Sequence, residues 1–252
     1  MRVMYAALLG AMLAAPLGMA RADGLADLKS ALQRLQASTP LKGVLKTETS
    51  RKVGEGADAD EYAGSAAVHV EDGAQGLRLQ YGRDLLARMD ADRLAAAKNP
   101  NAKTPSLYAL KEMGPDDLRP MVSGAENLVR NIERAAFKAE KAGEWQGKPA
   151  RQLTFTVPVK VLSDRERKYM KEFDGAFDVW IAPDGTPLGS QLNWHMQGRA
   201  YVVVSFDIRQ EERSTYMLSG DRLVTTRMES RLSNSGAGEK SEVRTVKTLQ
   251  AG

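Results

Sequence analysis

Cysteine is absent from the 252 residues. That excludes disulfides, thiolate nucleophiles, cysteine-based metal sites and the acylated cysteine of a bacterial lipoprotein. Histidine is almost as scarce, with only two residues, His69 and His195. The sequence holds no Gly-x-Ser-x-Gly elbow and no Ser-x-x-Lys pair, so nucleophilic catalysis lacks its usual parts. Gly236–Ser241 has the wrong glycine spacing for a phosphate loop, with Glu239 standing between Gly238 and Lys240. Gly54–Asp60 lacks the Asp-x-Asp-x-Asp-Gly calcium pattern. No cofactor is implied by any of these stretches. Strong net charge is missing too: 36 basic residues face 32 acidic ones, which gives +4 and no footprint for nucleic acid.

Long apolar runs are also missing beyond the first residues, and the one at the start is short. Arg2 opens it, Val3–Ala15 is uncharged and mainly apolar, and Pro16 and Gly18 interrupt any helix. Ala20-Arg21-Ala22 then matches the small-x-small pattern that precedes a leader-cleavage site. A membrane span needs about 20 apolar residues, so this run reads as a signal peptide over 1–22, of the Sec type because Arg2 stands alone. The expected mature chain begins at Asp23 and is periplasmic, with no membrane span after leader cleavage. Removal of Arg2 and Arg21 from the 36 basic residues leaves 34 against 32 acidic ones. An exported chain without disulfides must be held by core burial, and roughly 230 residues suffice for that. A bacterial envelope suits it better than a small disulfide-stapled secreted domain.

Periodicity supplies the elements. Leu25, Leu28, Leu32 and Leu35 recur at helical spacing before Pro40. Strands follow at about 41–50, 62–70 and 76–81, each with a period of two. Residues 84–143 break that rhythm and read as a helical excursion. Ser123 and Glu126 predict a capping box there, and Leu128, Ile132, Ala135 and Ala139 predict a helix running to Gly143. From Arg151 the alternation returns, through Val161 in the first strand, with Pro158 marking an edge or bulge. A short charged helix is expected at 163–172, and further strands at about 176–182, 188–197, 201–211 with 215–218 continuing it, 223–232 and 242–249. The short turns between them favour an antiparallel meander. The fold class is therefore α+β: a mainly antiparallel sheet covered by the amphipathic helices.

Candidate chemistry is thin. His195 lies on the strand face opposite Leu192, Trp194 and Met196, where a hydrogen-bonded surface histidine is the plain reading. His69 and Glu71 share a face but have no further ligands at motif spacing, so no metal site is predicted. The paired acids Asp58/Asp60, Asp116/Asp117 and Glu211/Glu212 read as turn and surface acids. What remains is apolar surface. Leu153, Phe155 and Val157, then Phe177, Val179 and Ile181, then Leu192, Trp194 and Met196 each share a strand face. These nine residues are the candidate wall of a ligand cavity, with ordinary core as the competing reading.

The order of elements resembles the lipoprotein-carrier (LolA-like) and sigma-factor-regulator (RseB-like) superfamily of the bacterial envelope. The residues that carry the likeness are Leu25–Leu35, the entry into the second half at Glu144–Phe155, and the tryptophan-bearing strand and turn at Phe177–Leu188. The resemblance implies a single domain over 23–252, built as a strongly curved open half-barrel with helices against its concave side. It implies acyl chains, lipids, lipoproteins or envelope proteins as partners. The expected function is thus non-enzymatic: a periplasmic protein that binds or carries a hydrophobic ligand. The alternatives are a regulatory module binding a protein or peptide and, less favoured, a hydrolase.

Overall fold

The computed structural model describes residues 23–36, 39–56, 59–200 and 204–252. The expected leader, 1–22, lies outside them, as do residues 201–203 at the start of one expected strand. A helix, α1 (Gly24–Arg34), opens the fold, capped by the Asp23 side chain on the amides of Leu25 and Ala26. Three strands follow: β1 (Leu41–Val53), β2 (Asp60–Gly73) and β3 (Gly76–Gln80). Four helices come next: α2 (Arg83–Lys98), α3 (Pro105–Leu110), α4 (Pro115–Val122) and α5 (Gly124–Arg134). The chain then forms β4 (Ala136–Trp145) and β5 (Lys148–Thr156), a 3-10 turn at Val159–Val161, and α6 (Asp164–Tyr169). It ends in β6 (Met170–Ile181), β7 (Pro187–Ala200), β8 (Val204–Ser219), β9 (Arg222–Gly236) and β10 (Glu239–Ala251).

Among the described residues, ten strands form one antiparallel sheet in the order β3-β2-β1-β10-β9-β8-β7-β6-β5-β4. Every neighbouring pair except β1/β10 is also consecutive in sequence, so short turns set nearly all the pairing. The β1/β10 contact, running from Gly43↔Ala251 to Val53↔Ser241, docks the first three strands onto the last. The sheet does not close: β3 and β4 are its edges.

The helical excursion is shorter than the sequence suggests. Helix α5 stops at Arg134, and Ala135 is already extended at φ −104° and ψ 163°. Residues 136–145 pair with β5 through a two-residue turn, in which Gln146 and Gly147 both have positive φ. That conformation matches the twist of a hairpin, and the pairing it sets overrides the helical spacing of Ala135 and Ala139. The capping box at Ser123 and Glu126 is absent as well. Ser123 is both the C-cap of α4 and the N-cap of α5, and its side chain caps neither. A capping box forms instead at α6, where the Ser163 amide donates to Glu166 at 2.7 Å and the Glu166 amide donates to Ser163 Oγ. The strand expected through Val161 ends at Thr156, because Pro158 cannot donate to a ladder. Val159 and Val161 consequently lie exposed.

Two apolar clusters occupy the helix-covered side of the sheet. In the first, Leu28 and Leu32 of α1 and Leu128 and Ile132 of α5 pack on Leu153, Phe155, Phe177, Val179 and Ile181. In the second, Leu45, Val68 and Leu249 meet Met113, Leu118 and Met121 from the α3–α4 region. Full burial of each such side chain contributes roughly 2 kcal/mol. The other face is polar, with ion pairs such as Lys42–Glu71, Arg227–Glu229 and Arg231–Glu242. Such exposed pairs each add little to stability. Arg222–Asp72 differs, being largely buried and 2.7 Å apart, and joins β9 to β2.

Candidate functional site

Between the two apolar clusters the covered face turns polar. Register places Thr245 of β10 beside Ser230 of β9, Ser230 beside Glu212 of β8, and Glu212 beside Leu192 of β7. One row along, Lys247 lies beside Met228. Side-chain alternation turns these residues toward the helices rather than outward. Above them stand Asp116 and Asp117 in the first turn of α4, with Asn127 and Asn131 one turn apart on α5. Together with Glu112, Pro120 and Gln210 they enclose a cleft of about 340 Å³.

The charges in this cleft are unequal. Lys247 is buried, and its ammonium donates to Asp117 Oδ1 at 3.0 Å. The other oxygen of Asp117 accepts the Gly114 amide, so this carboxylate is fully engaged. Glu212 makes no hydrogen bond and no ion pair with any described residue. Burial pushes its carboxyl above the ordinary range, and the Lys247 charge offsets only part of that. Four residues farther along β8, Tyr216 is buried and shares a 2.7 Å hydrogen bond with Ser190. Burial holds its phenol far above the usual value.

Across the sheet, on the open face, a shallow depression of about 700 Å³ is lined by Asp207, Arg209, Arg231, Lys240 and Glu242. Its carboxylates are already matched. His195 Nε2 lies 2.9 Å from Asp207 Oδ2, and Gln197 donates to the same oxygen at 2.7 Å. The hydrogen bond to His195, with those from Gln197 and the Arg209 charge, holds Asp207 below the ordinary carboxylate range despite some desolvation. Arg231 and Arg244 do the same for Glu242. His195 is therefore part of a surface polar network and faces away from the cleft.

The nine residues expected to wall a cavity are divided by the structure. Leu153, Phe155, Phe177, Val179 and Ile181 are closed beneath α1 and α5, each at most 2% exposed, with Val157 packed against them. Met196 is buried near the far end of β7, and half-buried Trp194 lies beside Phe173 with ring centroids 6.4 Å apart. Leu192 packs against the first core and also lines the polar cleft. The cleft draws both members of one acid pair that read as surface acids, Asp116 and Asp117, and one member of another, Glu212. The signal that marks Glu212 is parity: it alternates in phase with Ser214 and Tyr216, the buried side of β8. Lys247 alternates in phase with Thr245 and Leu249 in the same way. Among the described residues no three His, Asp or Glu side chains converge as a metal site requires, and no helix is long and apolar enough to cross a membrane. No family model, curated protein or solved structure matches the chain.

Proposed function

We propose that this is an exported, non-enzymatic binding protein of the bacterial envelope, whose sheet curves into a half-barrel and shelters a hydrophobic ligand. An acyl chain, a lipid or the acylated end of a lipoprotein is the class of ligand. One observation carries this reading: the continuous apolar area across β5, β6 and β7 is roofed by two helices, α1 and α5, rather than by a second sheet. Near its start α1 is tied to the sheet by polar links, from the Gly24 amide to Glu140 at 3.0 Å and from Arg151 to Asp27 at 2.7 Å. Displacing such a roof opens a slot lined by Leu153, Phe155, Phe177, Val179 and Leu192 without breaking any strand pairing. The likeness in element order to the LolA-like and RseB-like superfamily supports the same reading.

The test is what the protein carries. Protein purified from a bacterial periplasm should release an acyl-chain compound on solvent extraction, detected by mass spectrometry. The stripped protein should take up a fluorescent fatty acid. A Leu28→Cys variant of this cysteine-free chain, whose thiol is closed beneath the roof in the stripped protein, should then react faster with a thiol probe when the ligand displaces the roof. An empty extract together with no probe uptake would rule the reading out.

A further inference from the structure

The apolar slot leaves the polar cleft between the two cores without a role, and that cleft has the composition of a site. We propose that it binds a small organic cation, an aliphatic ammonium or guanidinium compound with hydrogen-bonding substituents, through the Glu212 carboxylate. This goes beyond the hydrophobic-ligand reading and does not depend on it.

Three observations converge. The first is the cavity itself: about 340 Å³ is at the small end of the range that ordinary small-molecule sites occupy. The second is the charge balance of its lining. Glu112 follows α3, Asp116 and Asp117 come from α4, and Glu212 comes from β8, while Lys247 of β10 is the one basic lining residue among the described residues. Asp117 pairs with Lys247 at 3.0 Å, so Lys247 compensates the remaining acids only in part. The third is that Glu212, half-buried beneath the helices, has no hydrogen-bond or ion-pair partner among the described residues. A carboxylate partly withdrawn from water and left unpaired carries part of the cost of burying a charge. The protein can relieve that cost by keeping the proton or by admitting a cation, and only the second uses the open space in front of the side chain. An ammonium or guanidinium group seated there gains a charge-assisted hydrogen bond in a poorly hydrated setting.

The rest of the lining fits the ligand's other end. Asn127 and Asn131 face the cleft from α5, and Gln210, Ser230 and Thr245 face it from the sheet. They offer both donors and acceptors to hydroxyl or amide groups. The open-face depression offers no comparable opportunity, since Glu242 and Asp207 are already held by arginine, histidine and glutamine side chains.

The experiment compares matched probes on the full mature chain by calorimetry and by amide chemical shifts. Glucosamine and glucose differ by one ammonium group, and agmatine adds a guanidinium. Agmatine and glucosamine should bind and shift amides near Glu212, Ser230 and Lys247, whereas glucose should not. Glu212→Gln, which removes a desolvated charge and keeps the shape, should fold normally and weaken agmatine binding at least tenfold. Glu242→Gln on the open face should leave it unchanged. Binding to the wild type should also fade as the pH falls through the titration of Glu212, an inflexion that Glu212→Gln should lack. Equal binding of glucose, undiminished binding to Glu212→Gln, or no binding of either cation at millimolar concentration would each overturn the proposal.

Discussion

In the folded chain, Glu212 titrates above the 4.5 of an unperturbed glutamate, because burial disfavours its charge. The folded state therefore holds this proton over a pH window in which the unfolded chain has already lost it. The ionised group weakens folding above its folded pKa, and that penalty is relieved as the pH falls toward 4.5. The Lys247 ammonium of β10 moderates it, while Asp117 and Asp116 of α4 and Glu112 after α3 add negative charge around the same cleft. Glu212→Gln is expected to be more stable than the wild type at neutral pH, with the difference shrinking on acidification. Urea unfolding of both proteins between pH 8 and 4.5 measures it. A constant difference across that range would mean that Glu212 titrates normally. Asp207 and Glu242 have the opposite sign. Their lowered values favour the folded state above the unfolded titration range, and that contribution is lost as pH falls through their folded values.

The docking of the β4–β5 hairpin on the sheet depends on a missing side chain. Trp145 is buried at the end of β4, tilted against Trp180 with centroids 4.9 Å apart, and Arg213 lies 5.2 Å over its ring. The indole rests directly on Gly189 of β7, where an added Cβ would come within 2.0 Å of the ring. Gly189→Ala must push a wedged indole outward or bend β7, and such overpacking costs typically 1–3 kcal/mol. Chemical denaturation should show a loss of that size, accompanied by a shift in tryptophan emission as Trp145 gains water. An unchanged midpoint and spectrum would show that the indole has another place to go. Close packing also explains Gly185, in the Pro183-Asp184-Gly185 turn after β6. Its φ is +86°, and it sits against the backbone of Asp27 in α1, so the turn that reverses the strand also seats the helix.

At the scale of the molecule, the expected cleavage site and the first helix adjoin. Asp23, the expected first mature residue, caps α1, and the Gly24 amide donates to Glu140 on β4. Cleavage after Ala22 is therefore expected to leave α1 intact, and N-terminal sequencing of protein recovered from a periplasmic fraction should read Asp-Gly-Leu-Ala. Recovery of a chain still beginning at Met1 would remove the basis for export. Most strands were legible in advance because a half-buried strand writes its period of two into the sequence, as Val68 and Val70 or Phe177, Val179 and Ile181 do. The end of α5 was not legible. Ala135, Ala139 and Gly143 are compatible with a helix, and only pairing through the Gln146–Gly147 turn makes β4 of residues 136–145. The cleft was hidden for a different reason. Asp117, Glu212 and Lys247 belong to segments far apart in the chain, and each taken alone resembles a surface charge.

Composition and periodicity by themselves determined an α+β chain without cysteine chemistry, whose strands follow one another through short turns. Local rules suffice for that, since alternation, turn residues and amphipathic spacing act over a few neighbouring residues. The tertiary structure alone decided that β10 pairs with β1, that Phe155 and Phe177 are closed beneath α1 and α5, and that Glu212 faces a cleft without a partner among the described residues. Those outcomes depend on register across a ten-stranded sheet and on which helix lies over which row. The charge state of a carboxyl follows from what stands across from it in space, and no short stretch of sequence records that.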